Sequence, residues 1–203
     1  MKHICVQGLG FVGSAMSVAI ASSKKSLFVT GLEKNNEKGR KIVSKINNRK
    51  IPFITTDKSL IKNFKSCVGR NFNATTDDNI LKKVDVVVSN INLDLILKNK
   101  KPSVNFENLK NIYKIIGKKV KKNTLIILET TVPPGTSENI ILPILENEFN
   151  KRGYKKNEIN FVYSYERVMP GKDYLNSIKN FWRVYSANSL RAEKMFKKFV
   201  QIL

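Results

Sequence analysis

The sequence predicts an α/β protein, a doubly wound, mostly parallel sheet with helices on both faces. Three observations carry that expectation. Short apolar runs alternate with amphipathic stretches from one end of the chain to the other, the pattern of strands joined by crossover helices. The first apolar run passes through a glycine turn directly into a helix-like segment. The 203 residues, 41% hydrophobic and 26% charged, supply one large core and are too few for two full enzyme domains.

The elements follow in order. His3-Ile4-Cys5-Val6 reads as the first strand, and Phe11 to Ser22, small and apolar throughout, as a helix. A second strand covers Leu27 to Leu32. Ile42, Val43 and Ile46 recur at helical spacing among Lys and Asn, so Glu37 to Asn47 reads as a surface helix with Pro52 beyond its end. A short helix over Ser59 to Phe64, a strand over Phe72 to Thr75 and a buried strand over Val84 to Val88 continue the alternation. Leu109, Ile112, Ile115, Ile116 and Val120 mark an amphipathic helix that feeds the strand Leu125 to Leu128. Beyond Val132-Pro133-Pro134-Gly135, Ser137 to Phe149 reads as a helix with Thr136 or Ser137 as its N-cap. Strands at Ile159 to Tyr163 and Trp182 to Tyr185 precede a last helix, Ser189 to Leu203, which has Ala192, Met195, Phe196, Phe199 and Val200 on one face and no clear terminal cap.

Charge and composition exclude several classes. The formal net charge is +21, from 37 basic and 16 acidic residues, which raises the question of a polyanionic partner. Of the 37, 30 are Lys, scattered in doublets such as Lys24-Lys25, Lys82-Lys83 and Lys197-Lys198, with no arginine-rich face. Base readout and phosphate clamping favour the planar Arg fork, so this distribution argues against nucleic acid, although nonspecific electrostatic binding needs only Lys. No run approaches the roughly 20 apolar residues of a membrane span, and no signal-peptide pattern opens the chain, so a soluble, cytoplasmic protein with no membrane partner is expected. Two cysteines, Cys5 and Cys67, form neither a disulfide framework nor a CxxC pair, which fits a reducing compartment. His3 is the only histidine, so neither a histidine-based metal site nor a catalytic dyad is expected.

The chemistry concentrates at the first turn. Gly8-Leu9-Gly10-Phe11-Val12-Gly13 follows a strand and opens a helix, the context in which GxGxxG denotes dinucleotide binding. Gly8 allows the tight turn, Gly10 lets a pyrophosphate approach the backbone, and Gly13 allows close packing of helix on sheet, with the helix N-terminus, Phe11 and Val12, facing the phosphates. Glu33 lies 20 residues after Gly13 at the end of the second strand, where a carboxylate accepts both ribose hydroxyls and repels a 2′-phosphate. NAD is therefore expected over NADP, with Lys34 beside the ribose site as the residue that tempers the choice.

Two further motifs, Glu129-Thr130-Thr131-Val132-Pro133-Pro134-Gly135-Thr136 and Ser164-Tyr165-Glu166-Arg167-Val168-Met169-Pro170-Gly171, together with the glycine turn, resemble the UDP-glucose/GDP-mannose dehydrogenase family over essentially the whole chain. The resemblance implies a Rossmann-type cofactor domain of enzymes that oxidise the C6 alcohol of a nucleotide sugar to a carboxylate in two hydride transfers, consuming two NAD. It implies that Thr131 and Glu166 face the nicotinamide and a reaction-site water as catalytic residues, and that Asn90, in the segment Asn90-Ile91-Asn92 where many members carry a V-P-T-P loop, contacts the cofactor. Residues 1–188 then form the cofactor domain and 189–203 the start of a connection to a sugar-nucleotide domain. The partners so implied are a nucleotide-sugar substrate and either a C-terminal half or a second copy of the chain.

Departures from the pattern bound the expectation. Tyr165 stands where proline is usual and Thr130 where serine is common. The family's nucleophilic cysteine, needed to hold the aldehyde-level intermediate as a thiohemiacetal, has no counterpart, so the chain alone is expected to bind NAD without completing the reaction. Cys5 reads as a small core residue, and Cys67 lacks the flanking motif. A noncatalytic NAD-binding or interaction module, with the apolar face of the last helix docked on another chain, remains open, as do half of a split enzyme and a polyanion binder.

Overall fold

A computed structural model describes the backbone of residues 1–23, 27–98, 101–165 and 168–203, with side chains throughout except at 94–98 and 101–102. Seven strands form one sheet: β1 (His3–Gln7), β2 (Phe28–Leu32), β3 (Phe72–Thr75), β4 (Val86–Ser89), β7 (Leu125–Leu128), β8 (Asn160–Ser164) and β9 (Tyr185–Ala187). Their order is β3-β2-β1-β4-β7-β8-β9, parallel except for β9, which runs antiparallel to β8. Two further strands, β5 (Asp94–Lys98) and β6 (Lys101–Asn105), pair antiparallel as a separate hairpin after the carboxyl end of β4.

Period-two alternation divides the strand side chains between two cores. Ile4 and Val6 of β1, Val86 and Val88 of β4 and Leu125 and Ile127 of β7 face one layer, while Cys5, Val87, Ile126 and Leu128 face the other. The first layer holds α1 (Phe11–Ala21), α3 (Lys58–Cys67), α6 (Tyr174–Asn180) and α7 (Leu190–Val200), with Ile46 of α2 (Glu37–Asn47) packed at its edge. The second layer holds α4 (Glu107–Lys119) and α5 (Leu142–Asn150). Helix α1 is buried from Gly13 to Ala21, which explains a sequence apolar on every side. Among the described residues no helix is long and apolar enough to cross a membrane.

Several expectations are corrected. The strand expected over Val84 to Val88 is Val86–Ser89, because Asp85 turns back to accept from the backbone N–H groups of Lys2 and His3. The strand expected over Trp182 to Tyr185 begins only at Tyr185; Trp182 is 88% exposed and Arg183 turns inward. Its direction follows from α6, which packs on α1 and α3 beyond the end of β8, so the chain re-enters the sheet from the end it left. Tyr165 N–H, donating to Val184 O at 3.1 Å, continues that pairing.

Neither Thr136 nor Ser137 caps the helix that follows. Thr136 already has helical dihedrals and its hydroxyl donates to Pro133 O at 2.6 Å, while Ser137–Ile141 form a wide turn of π-helical geometry ahead of α5. Pro143, which has no N–H to continue the i→i−4 ladder, sits within the first two positions of α5 and accounts for the wide turn. In α7, Ser189 accepts from Ala192 N–H at 3.1 Å as a true N-cap. Ala192, Phe196 and Phe199 of that helix are buried, and α7 contacts β7, β8 and β9, so this apolar face is covered by the chain's own sheet.

One buried carboxylate ties the first layer together. Asp57, 1% exposed, accepts from Leu60 N–H at 2.9 Å as the N-cap of α3 and from Leu175 N–H at 2.7 Å in the first turn of α6.

Candidate functional site

The six parallel strands β3, β2, β1, β4, β7 and β8 point their carboxyl ends toward the same side, and the order reverses at β1 and β4, so loops diverge there and leave a crevice. Gly8 follows β1 directly with φ +89°, a left-handed conformation that favours glycine, and its N–H donates to Leu32 O at 2.9 Å. A Cβ on Gly8 would lie 2.4 Å from Asn90 O, and one on Gly13 would lie 1.8 Å from Gly8 O. Gly13 therefore serves the contact between helix and turn. Gly10 has nothing within 4 Å of a Cβ position, leaving open space over the turn. Ser14 Oγ donates to Leu9 O at 2.9 Å and Ser17 Oγ to Gly13 O at 2.8 Å, bracing the turn from the helix side.

Glu33 comes to this turn from the end of β2. One carboxylate oxygen accepts from Leu9 N–H at 2.5 Å and the other from Lys34 N–H at 3.1 Å, so the side chain is locked at the crevice mouth. Each oxygen keeps acceptor capacity for a further hydrogen bond. Gly8, Glu33 and Lys34 line a cavity of about 550 Å³, closed on one side by Ile91, Ile112 and Ile115 and rimmed by Asp77, Asp78 and Asn111. Hydrogen bonds donated by the Asn79 backbone N–H and side-chain amide hold the exposed Asp77 carboxyl below its ordinary value.

A second hollow, of about 300 Å³, adjoins the start of α1 and gathers Val12, Asn90, Asn92, Glu129, Thr130 and Thr131. Thr131 is exposed there. Asn90 N–H donates to Gln7 O at 2.8 Å, and its side-chain amide, with the nitrogen turned toward Glu129, lies 3.1 Å from Glu129 O and 3.3 Å from Oε2. Glu129, 3% exposed, forms an ion pair with Arg183, whose other guanidinium nitrogen donates to Ile178 O at 3.0 Å. A glutamate at a strand end and an arginine 54 positions away carry no local signal of this buried pairing in the sequence.

The structure thus brings Gly8, Glu33 and Lys34 to one cavity and Val12, Asn90 and Thr131 to the adjoining hollow. Phe11 stacks on Tyr174 with ring centroids 4.4 Å apart and meets Phe53 edge-on at 4.8 Å, so its ring belongs to the core and only its backbone remains for a ligand. Glu166 lies outside the described residues. Cys5 is fully buried, which pushes its thiol up to about 12, and burial also raises that of Cys67, with Arg70 opposing; neither is a ready nucleophile.

A family model described as the UDP-glucose/GDP-mannose dehydrogenase family, NAD binding domain, matches residues 2–199. This chain belongs to that family. Among its relatives, the UDP-N-acetyl-D-mannosamine dehydrogenase of Methanocaldococcus jannaschii is 25% identical, covering 98% of this chain and 43% of the relative. The enzyme of the same name from Campylobacter jejuni is 26% identical, over 98% of this chain and 48% of its own length. Of solved structures, the NDP-N-acetyl-D-galactosaminuronic acid dehydrogenase of Methanosarcina mazei superposes with a TM-score of 0.89 at 25% identity, covering 100% of this chain and 42% of that one. A GDP-mannose dehydrogenase from Pseudomonas aeruginosa, at 17% identity and a TM-score of 0.83, shows the same fold over 100% of this chain and 44% of its own. This NAD-binding domain spans less than half the length of these relatives.

Proposed function

We propose that this chain is the cofactor-binding part of a nucleotide-sugar 6-dehydrogenase and that by itself it binds NAD without completing the oxidation. The observation that carries the reading is Glu33, fixed by Leu9 N–H of the glycine turn at the mouth of a cavity of dinucleotide-compatible size. Its carboxylate accepts from the two ribose hydroxyls and repels a 2′-phosphate, which favours NAD over NADP even with Lys34 beside it. The turn from Gly8 to Gly13 leaves room above Gly10 for the pyrophosphate at the N-terminus of α1.

Bound NAD supplies the hydride acceptor. In the adjoining hollow the Thr131 hydroxyl would orient a water or the sugar hydroxyl and Asn90 would position the nicotinamide end. The resemblance gives Glu166, which lies outside the described residues, the task of holding the proton released as the alcohol is oxidised. Chemistry also requires a sugar held in register, and the groups for that come from a sugar-nucleotide domain contributed by further polypeptide. That further polypeptide, residues 189–203 leading toward it, and a nucleotide sugar are the partners this reading names.

Calorimetric titration with NAD and NADP, followed by a search for NADH with a panel of UDP- and GDP-sugars, tests it. NAD binding without turnover is the expected result. Turnover by this chain alone would overturn the division of labour, and absence of NAD binding would overturn the reading itself.

A further inference from the structure

The last residue of β1 breaks the pattern of its strand. Ile4, Cys5 and Val6 are buried and apolar, and Gln7 continues the burial, at 8% exposure, with a carboxamide. Its backbone carbonyl is taken by Asn90 N–H at 2.8 Å, but its side-chain oxygen is shielded from solvent and has no hydrogen-bond partner. An apolar residue here would complete the wall of Leu32, Ile91, Ile112 and Ile115. A buried unpaired carbonyl costs about 1–3 kcal/mol, so the carboxamide is destabilising in this orientation and gains by turning its oxygen to a partner in the cavity that the residue lines.

Gln7 lines the same cavity as Glu33. The other amides on that cavity, Asn35 and the α4 residues Asn108 and Asn111, are exposed to solvent, so Gln7 alone of these four carries a buried carboxamide there. If Glu33 holds the adenosine ribose, as proposed above, the space between Gln7 and the isoleucines of α4 receives the base. Adenine offers a flat apolar face to Ile91, Ile112 and Ile115, and on its edge an exocyclic amino donor beside ring-nitrogen acceptors. A carboxamide, with one acceptor and one donor side by side, matches that edge, and its terminal amide turns about the Cγ–Cδ bond to bring the oxygen to the cavity wall.

We propose that Gln7 reads the purine of the bound dinucleotide, accepting a hydrogen bond from the 6-amino group of adenine. Gln7 is thus a specificity residue for the base, whereas Glu33 is one for the ribose. The inference rests on the cofactor reading of this cavity and is separable from it by experiment.

The test is the ratio of affinities for NAD and for nicotinamide purine dinucleotide, in which hydrogen replaces the amino group, so that a turned carboxamide finds no substitute partner at that position. The unaltered chain should prefer NAD by about tenfold, the equivalent of one hydrogen bond of roughly 1.4 kcal/mol. Gln7→Leu should bring the ratio close to one, chiefly by weakening NAD binding. Gln7→Met, closer in length and equally unable to accept from the amino group, should do the same and serves if the leucine variant does not fold, which thermal melting reports. NAD binding with no base preference in the unaltered chain, or a preference that survives in the variants, overturns the role of Gln7 and leaves the cofactor reading standing. Failure of the unaltered chain to bind either dinucleotide overturns both.

Discussion

The two ends of the parallel sheet treat their polar groups in opposite ways. At the amino ends of β1, β3, β4 and β7 they are consumed internally, Asn160 Oδ1 at the start of β8 being the exception: Asp85 accepts from Lys2 N–H at 2.7 Å, His3 N–H at 3.3 Å and Lys121 Nζ at 2.7 Å. Thr124 Oγ donates to Val84 O at 3.1 Å, and Asn71 Nδ2 donates to Ala21 O and Leu27 O, each at 2.9 Å. At the carboxyl ends the chain holds acceptors in reserve: Glu33 with capacity on both oxygens, Gln7 with an unpaired one, and open space over Gly10. One sheet thus has a structural end and a receptive end, and the difference lies in where hydrogen bonds are left unmade.

The comparison breaks most severely at Gly13. Gly13→Ala places a methyl group 1.8 Å from Gly8 O, so the turn and helix must separate, and NAD affinity should fall at least about a hundredfold in calorimetry. Arg183→Met removes the Arg183 guanidinium from the buried Glu129 carboxylate and should lower unfolding stability by about 3 kcal/mol in urea titrations. Adding Glu129→Gln to that variant should recover part of the loss, since a neutral amide loses less than a carboxylate when the Arg183 guanidinium is gone.

Glu33→Ala should weaken NAD binding by about tenfold or more while relaxing discrimination against NADP, and should do so far more than Glu166→Ala. Equal losses in the two variants would remove Glu33 from the ribose site. The smallest effect belongs to the structural end. Asp85→Asn should cost about 1 kcal/mol of stability and leave NAD affinity unchanged. Burial raises the Asp85 carboxyl, but hydrogen bonds from Lys121, Lys2 and His3 outweigh it and hold the group at about 2, below its ordinary 3.8. Its contribution is therefore complete above pH 3.8 and drains away as pH falls toward 2, so the gap between parent and variant should close over that interval in acid unfolding.

What was legible in the sequence was whatever rests on local pattern. Phe72–Thr75, Leu125–Leu128 and Glu37–Asn47 have the expected bounds, because period and punctuation agree there. The glycine turn and Glu33 could be paired from spacing alone, since a strand-turn-helix-strand unit leaves little choice of geometry. The pairing of β5 with β6 has little signal in the sequence, because the apolar runs Leu95-Ile96-Leu97 and Val104 are short and Pro102 sits in one of the strands. The direction of β9 depends on where α6 packs, and the Glu129–Arg183 pair on the meeting of two strand ends; both are decided by tertiary contacts that leave no periodic trace.

Asp57 has a dynamic consequence. With one oxygen on Leu60 N–H and the other on Leu175 N–H, 118 positions from the aspartate, it makes the first turns of α3 and α6 share a single anchor. Neither helix can fray at that end without disturbing the partner's bond. In native-state hydrogen exchange the amides of Leu60 and Leu175 should therefore open as one cooperative unit, which ties the segment after β8 to the motions of α3.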